Sequence, residues 1–85
     1  NKIMAIKSEK IEGEVILNEY TSSNLISSEY NVPNKTLQMK FKGGRTYKYD
    51  SVPMNIFTKM RLAESQGKYF NKEISRKYRY TEVKK

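Results

Sequence analysis

Between residues 35 and 53 the chain reads KTLQMKFKGGRTYKYDSVP, and a segment of this pattern can fold in few ways. Leu37, Met39 and Phe41 alternate with Gln38, Lys40 and Lys42. Period two belongs to a strand with one buried face. Gly43-Gly44 follows, a pair that tolerates positive φ and closes hairpins. Tyr47-Lys48-Tyr49 resumes the alternation, and Asp50-Ser51-Val52-Pro53 stops the sheet and starts a helix.

The hairpin can close in two registers. With a strict two-residue loop, Lys42 sits opposite Arg45 and Phe41 opposite Thr46, so Tyr47 and Tyr49 become an exposed stacking platform among lysines. With a three-residue loop and a bulge, Phe41 sits opposite Tyr47 and Met39 opposite Tyr49. A one-residue slip moves every side chain to the other face. The second register gathers Leu37, Met39, Phe41, Tyr47 and Tyr49 on one face and leaves Gln38, Lys40, Lys42 and Lys48 on the other. We favour it, because an amphipathic sheet needs segregated faces.

Upstream, residues 1–13 are polar apart from Ile3, Met4, Ala5, Ile6 and Ile11. Ile3 to Ile6 suits a short strand or a packed arm. Glu14 to Tyr20 is β-branched enough for a strand, Thr21 to Asn24 for a turn or bulge, and Leu25 to Asn31 for another strand. Val32-Pro33-Asn34-Lys35 reads as a turn. Downstream, Asp50 or Ser51 can cap a helix with Pro53 in its first turn. Ile56, Phe57, Met60 and Ala63 recur at helical spacing and form its apolar face, with Lys59, Arg61, Glu64 and Gln66 opposite. Gly67 suits the left-handed position that ends a helix. Tyr69 and Phe70 return to the core. Asn71 can cap a shorter helix to about Tyr78, with Ile74 and Tyr78 inward and Arg76 and Lys77 outward. From Arg79 the tail adds a short strand through Tyr80 and Val83, or frays.

The expected fold is α+β: one globular domain with a small antiparallel β-sheet of three to five strands. A central hairpin packs against one main helix and a short C-terminal helix. The 85 residues allow a single modest core, and seven Tyr, three Phe and four Met supply its bulk. No apolar run matches a membrane span and no signal-peptide pattern is present, so a soluble, cytoplasmic protein is expected. The first residue is Asn rather than Met, which leaves open that the chain is a piece of a longer polypeptide.

Charge is unevenly placed. The net charge is +8, from 17 basic and 9 acidic residues. Residues 35–48 carry five basic residues and no acid, and residues 68–85 carry seven basic residues against two acids. Two cationic blocks are the electrostatic footprint of a nucleic-acid binder; the plain alternative is that the lysines serve solubility. The first candidate site is the hairpin, with Lys40, Lys42, Arg45 and Lys48 for phosphates and Tyr47 or Tyr49 for stacking on bases. The second is Lys68, Lys72, Arg76, Lys77 and Arg79, with backbone amides near Gly67 to donate hydrogen bonds to a phosphate. The third, weaker, is the turn Ala63-Glu64-Ser65-Gln66-Gly67 as a ligand pocket. The bland reading of each is a solvated surface or a helix end.

Catalysis is not expected. The chain has no His and no Cys, so the usual general base and thiol nucleophile are missing, and Asp50, Glu64, Glu73 and Glu82 show no paired or metal-like spacing. No cofactor or metal is expected.

Ser22-Ser23, Leu25 and Tyr30, followed by TLQMKF, GG, YKY, DSVP, AESQGKYFNKEI and Tyr78, together resemble the KTSC domain family over about residues 22–80. That family takes its name from the C-terminus of some lysyl-tRNA synthetases and also occurs as small stand-alone bacterial and phage proteins. The resemblance implies a small antiparallel sheet covered by helix, in a domain over residues 21–85 preceded by residues 1–20 as an N-terminal arm or extra strand. Through the synthetase connection it also implies RNA, tRNA included, as a partner. The function expected is therefore non-catalytic nucleic-acid binding, with RNA as the expected nucleic acid. The competing expectation is a protein-interaction module, a small bacterial or phage protein that docks on a partner enzyme through a strand edge near residues 14–20 and the apolar arm.

Overall fold

The alternation between Leu37 and Tyr49 decides which way the sheet faces. A computed structural model describes residues 6–21 and 24–83. It contains six strands: β1 (Ile6–Glu12), β2 (Val15–Tyr20), β3 (Leu25–Asn31), β4 (Thr36–Phe41), β5 (Thr46–Tyr49) and β6 (Tyr80–Glu82). They form one antiparallel sheet in sequence order, β1-β2-β3-β4-β5-β6. Two helical segments cover one face: α1 (Met54–Arg61), then α2 (Gln66–Tyr69) continuing into a π-helical turn, Phe70–Ile74. The class is α+β as expected, but the sheet exceeds three to five strands. The two strands that sequence patterning resolves least are the outermost ones. IKSEKIE and YTE are largely polar, and polar edges are how native sheets discourage further pairing.

The predicted strand edge at residues 14–20 is corrected. β2 lies inside the sheet, between β1 and β3. Ile3, Met4 and Ala5 of the predicted arm lie outside the described residues, as do Ser22 and Ser23 of the predicted turn.

The hairpin register is a third one. Met39 pairs with Tyr47 and Leu37 with Tyr49, two residues away from the favoured pairing. The turn is Lys42-Gly43-Gly44, closed by bonds from the Gly44 amide to the Phe41 carbonyl and from the Phe41 amide to the Arg45 carbonyl, at 3.1 and 2.9 Å. Gly43 and Gly44 both have positive φ, +96° and +93°. Placing both glycines inside the turn keeps Arg45 out of the left-handed region. A shift of two preserves parity, so the apolar half of the facing prediction stands: Leu37, Met39 and Tyr49 are buried and Phe41 and Tyr47 pack on the core. Lys42, expected on the opposite face, falls instead in the three-residue turn, beyond the last strand pair.

On the covered face, Ile11, Ile16, Tyr30, Leu37, Tyr49 and Tyr80 form one cross-strand row. Helix α1 docks through Phe57 and Met60, both fully buried. The Phe57 ring stacks on Tyr30, centroids 4.6 Å apart and planes 6° from parallel. The Tyr30 hydroxyl donates to the Val52 carbonyl at 2.6 Å, which pins the segment entering α1.

Several helix details differ from expectation. Pro53 is the N-cap and no side chain caps the helix, whereas Asp50 or Ser51 was expected; Ser51 instead turns the chain at φ +56°. Helix α1 stops at Arg61, so Ala63 lies beyond it and Gly67 falls within α2 rather than ending a helix. Ser65, not Asn71, caps the second helix: its hydroxyl oxygen accepts from the Lys68 amide at 3.3 Å. This new start swings Gln66 inward. It is fully buried and its amide donates to the Arg61 carbonyl at 3.0 Å, contrary to the solvent-facing placement. Arg61 itself reaches back to the Glu9 carboxylate at 2.5 Å. Helix periodicity cannot anticipate either contact, because the break at Leu62 resets the phase.

A polar patch lies beneath α1. Asn18 and Ser28 are buried neighbours on β2 and β3, and the Tyr20 hydroxyl meets the Ser28 hydroxyl at 2.7 Å. Burial is the main cause that pushes the Tyr20 hydroxyl up to about 12. The unfolded chain releases this proton near the ordinary value of about 10. Stability is therefore whole below pH 10 and falls as the pH rises toward 12, by about 2–3 kcal/mol. A Tyr20→Phe variant is expected to decline more shallowly across that window in urea titrations. Coincident profiles would show that Tyr20 does not carry the effect.

Candidate nucleic-acid interface

The β4–β5 turn, β6 and the π-helical turn enclose a cleft of about 480 Å³. Its walls follow from the sheet parity. Phe41, Tyr47 and Tyr49 project to the helix side, Tyr80 joins them from β6, and Phe70 closes the helix side. The five rings form an unbroken circuit. Centroids are 6.0 Å apart for Phe41–Tyr47, 5.4 Å for Tyr47–Tyr80 and 5.4 Å for Tyr80–Tyr49. Tyr49–Phe70 and Phe70–Phe41 complete it at 5.2 and 5.5 Å. Most contacts are edge-on or tilted, the favourable arrangement for ring quadrupoles.

The rings differ in what they offer. Tyr49 and Phe70 are buried and form the floor. Burial raises the Tyr49 hydroxyl above its ordinary range, Tyr80 adds to this, and a hydrogen bond with Ser75 opposes it. Tyr47 is half-buried and Tyr80 is 54% exposed. Surface for stacking therefore lies on Tyr47 and Tyr80 rather than on Tyr49.

Lys42 and Arg45 stand at the mouth of the cleft, and Asn71 and Ser75 line its helix side. The π-helical turn sets those last two. The Ser75 amide reaches the Phe70 carbonyl, five residues back, at 2.8 Å. Turns of this kind are wider than an α-turn and recur at functional sites. Beside the cleft is a second, shallow hollow of about 370 Å³, lined by Lys68, Asn71, Lys72 and Arg76. Asn71 belongs to both.

The structure thus joins part of each cationic block and divides the rest. Lys42 and Arg45 come together with Lys68, Lys72 and Arg76 across Asn71. No ion pair among the described residues engages any of these five. Lys40 and Lys48 sit on the helix-free face. There Glu19, Ser27, Lys40 and Thr46 form one row and Leu17, Glu29, Gln38 and Lys48 the next. Glutamates beside those lysines make that face mixed in sign. Lys77 is held by Glu73 at 3.0 Å, which in turn keeps the Glu73 carboxyl below its ordinary range. Arg79 is exposed just before β6 and lines neither hollow. Among the α2 amides near Gly67, that of Lys68 is already taken by Ser65. The predicted turn from Ala63 to Gly67 runs from the link between the helices into the first residues of α2, and it also lines neither hollow.

Sequence reading missed Asn71, Ser75 and Tyr80 as site residues. Tyr80 had a signal: Tyr78-Arg79-Tyr80 repeats the spacing of Tyr47-Lys48-Tyr49. Asn71 and Ser75 had none, because only the π-helical turn brings them to the cleft.

Comparison with known proteins bears on the family. Residues 21–83 match the KTSC domain model. A lysine–tRNA ligase of Trichormus variabilis is 35% identical over 54 residues, 64% of this chain but 10% of the ligase. The chain therefore corresponds to about a tenth of that enzyme. A protein of Stutzerimonas stutzeri is 32% identical over 63 residues, covering 73% of this chain and 89% of its relative. The crystal structure of KTSC domain protein YPO2434 from Yersinia pestis superposes with a TM-score of 0.76 at 27% identity, over 82% of this chain and 99% of that one. With the family model spanning most of its length, the chain belongs to the KTSC domain family.

Proposed function

We propose that this chain is a non-catalytic RNA-binding domain that acts in the cytoplasm. One observation carries the reading: Asn71 lines both the cleft beside Lys42 and Arg45 and the hollow of Lys68, Lys72 and Arg76. Two cationic blocks far apart in sequence thereby form one surface. Five cations that form no ion pair among the described residues can neutralise several phosphates and release their counterions. RNA can be held through backbone and shape with no more than this. The similarity to a segment of a lysine–tRNA ligase, an enzyme whose partner is RNA, favours RNA over DNA. The absence of His and Cys from the sequence supports a binding role rather than a catalytic one.

A fluorescence-anisotropy titration with tRNA, single-stranded RNA and duplex DNA at two salt concentrations tests this. Binding is expected to prefer RNA and to weaken as salt rises. No binding at low salt would overturn the reading and leave the charge as a solubility device. A second reading, docking of a protein partner, draws on the helix-free face with its alternating signs and on β1, one of the two edge strands described, where Ile11 is 67% exposed. Among the described residues, no helix is long and apolar enough to cross a membrane.

A further inference from the structure

We infer that the aromatic cleft is a pocket for one unpaired nucleotide, with the base on Tyr47 and Tyr80 and the adjoining phosphates on Lys42 and Arg45. This rests on the RNA reading and makes it specific. Phosphate recognition alone needs cations and no hollow; here a hollow of about 480 Å³ opens directly beside them. That volume lies within the usual range for small-ligand sites, about 300–1,000 Å³.

The chemistry of the lining selects the occupant. Tyr80 is 54% exposed and Tyr47 half-buried, while Tyr49 and Phe70 close the floor. A planar, partly polar ring matches such walls, because every base has a π-face that can stack on tyrosine. Asn71 and Ser75 add donors and acceptors at the side of the cleft, where the edge of an unpaired base can bond. The cations stand at the mouth and not on the floor. An anionic group must therefore stay outside while its aromatic part enters, which describes a nucleotide better than a free anion or an apolar peptide side chain.

A base inside a duplex cannot enter, since its faces are covered by its neighbours. Past Asn71, the hollow of Lys68, Lys72 and Arg76 offers further phosphate sites to the strand bearing the base. The occupant is accordingly a single-stranded or looped segment. One base lies in the cleft and its backbone runs from the β4–β5 turn toward the second helix.

The test compares one single-stranded RNA oligonucleotide, the same oligonucleotide with a single abasic site walked along it, and its duplex. Tyr80→Leu and the wild type are measured with each at two salt concentrations. Leucine keeps apolar bulk, and Tyr80 is exposed enough that the fold should survive. Tyr80→Leu is expected to weaken single-strand binding by roughly 5- to 100-fold, with the salt slope and the duplex affinity unchanged. One abasic position should reproduce the loss. In the unaltered protein, the ring protons of Tyr47 and Tyr80 should shift on adding the single strand and stay in place with the duplex. Equal affinity for all three RNAs, with Tyr80→Leu neutral and the rings unshifted, would overturn the pocket yet leave charge-based RNA binding standing. Absence of binding at low salt would remove both. Ring shifts produced only by a protein partner would likewise overturn the pocket assignment.

Discussion

A Phe57→Ala variant is expected to lose about 3–5 kcal/mol of stability. For a domain of this size, with a total of about 4–13 kcal/mol, that is a large share. Phe57 is fully buried, its ring stacks on Tyr30 at 4.6 Å, and the Arg61 guanidinium lies 5.7 Å from its centroid. Apart from Met60, which is buried beside it, the helix has little local support. Helix α1 has eight residues, no side-chain N-cap and no acidic residue in its first turn. A helix this short does not persist in water by propensity alone, so packing of its apolar face supplies the stability. Truncating Phe57 removes the largest anchor and opens a cavity against Tyr30. Urea unfolding followed by circular dichroism should show the midpoint fall steeply. Leu62→Ala serves as the control: at 57% exposure it should change stability by less than about 0.5 kcal/mol. Equal midpoints for Phe57→Ala and the unaltered protein would show that α1 is not held as described.

Reversing Lys42 and Arg45 together to glutamate is expected to weaken single-stranded RNA binding by roughly 10- to 100-fold at low salt, and to reduce the salt slope by about 1.4, the value for two lost phosphate contacts. Both side chains are exposed at the hairpin turn and neither belongs to the core, so the thermal midpoint should hold. Reversing Lys72 and Arg76 should have a comparable effect from the other side of Asn71. Reversing Arg76 with Lys77 should do less than a pair of free cations, since Lys77 is already bound to Glu73. Lys40 and Lys48 are the informative contrast: on the helix-free face, among Glu19 and Glu29, their reversal should leave affinity within about threefold, a small fraction of a two-contact loss. Strong loss from Lys40 and Lys48, with none from Lys42 and Arg45, would move the interface to the other side of the sheet.

How much of this was legible beforehand varies by element. The apolar face from Leu37 to Tyr49 was legible because strand parity is local, and an error of two residues in the pairing leaves it intact. The entrance to α1 was legible within a few residues from DSVP and the spacing of Ile56, Phe57 and Met60. The outermost strands were not, because an edge strand buries little and carries no strong alternation. The second helix was misplaced at its start, because Ser65 and Asn71 are equally good caps in isolation and only burial of Gln66 distinguishes them. The cations were all visible; their partition was not. Whether a lysine on a strand meets phosphate or a glutamate depends on the strand beside it.

The period-two pattern, the hairpin, the apolar stripe of α1, the two cationic blocks and the family resemblance could all be read from the order of residues. All are properties of residues near one another along the chain. Packing between elements was needed to close five aromatic rings around a cleft, to set Asn71 between the two cationic blocks, and to separate Lys40 and Lys48 from Lys42 and Arg45. Those depend on pairing between distant strands and on a π-helical turn that rotates the residues following it. Long-range pairing and helix phase are settled by what packs against them, so local periodicity carries no record of either.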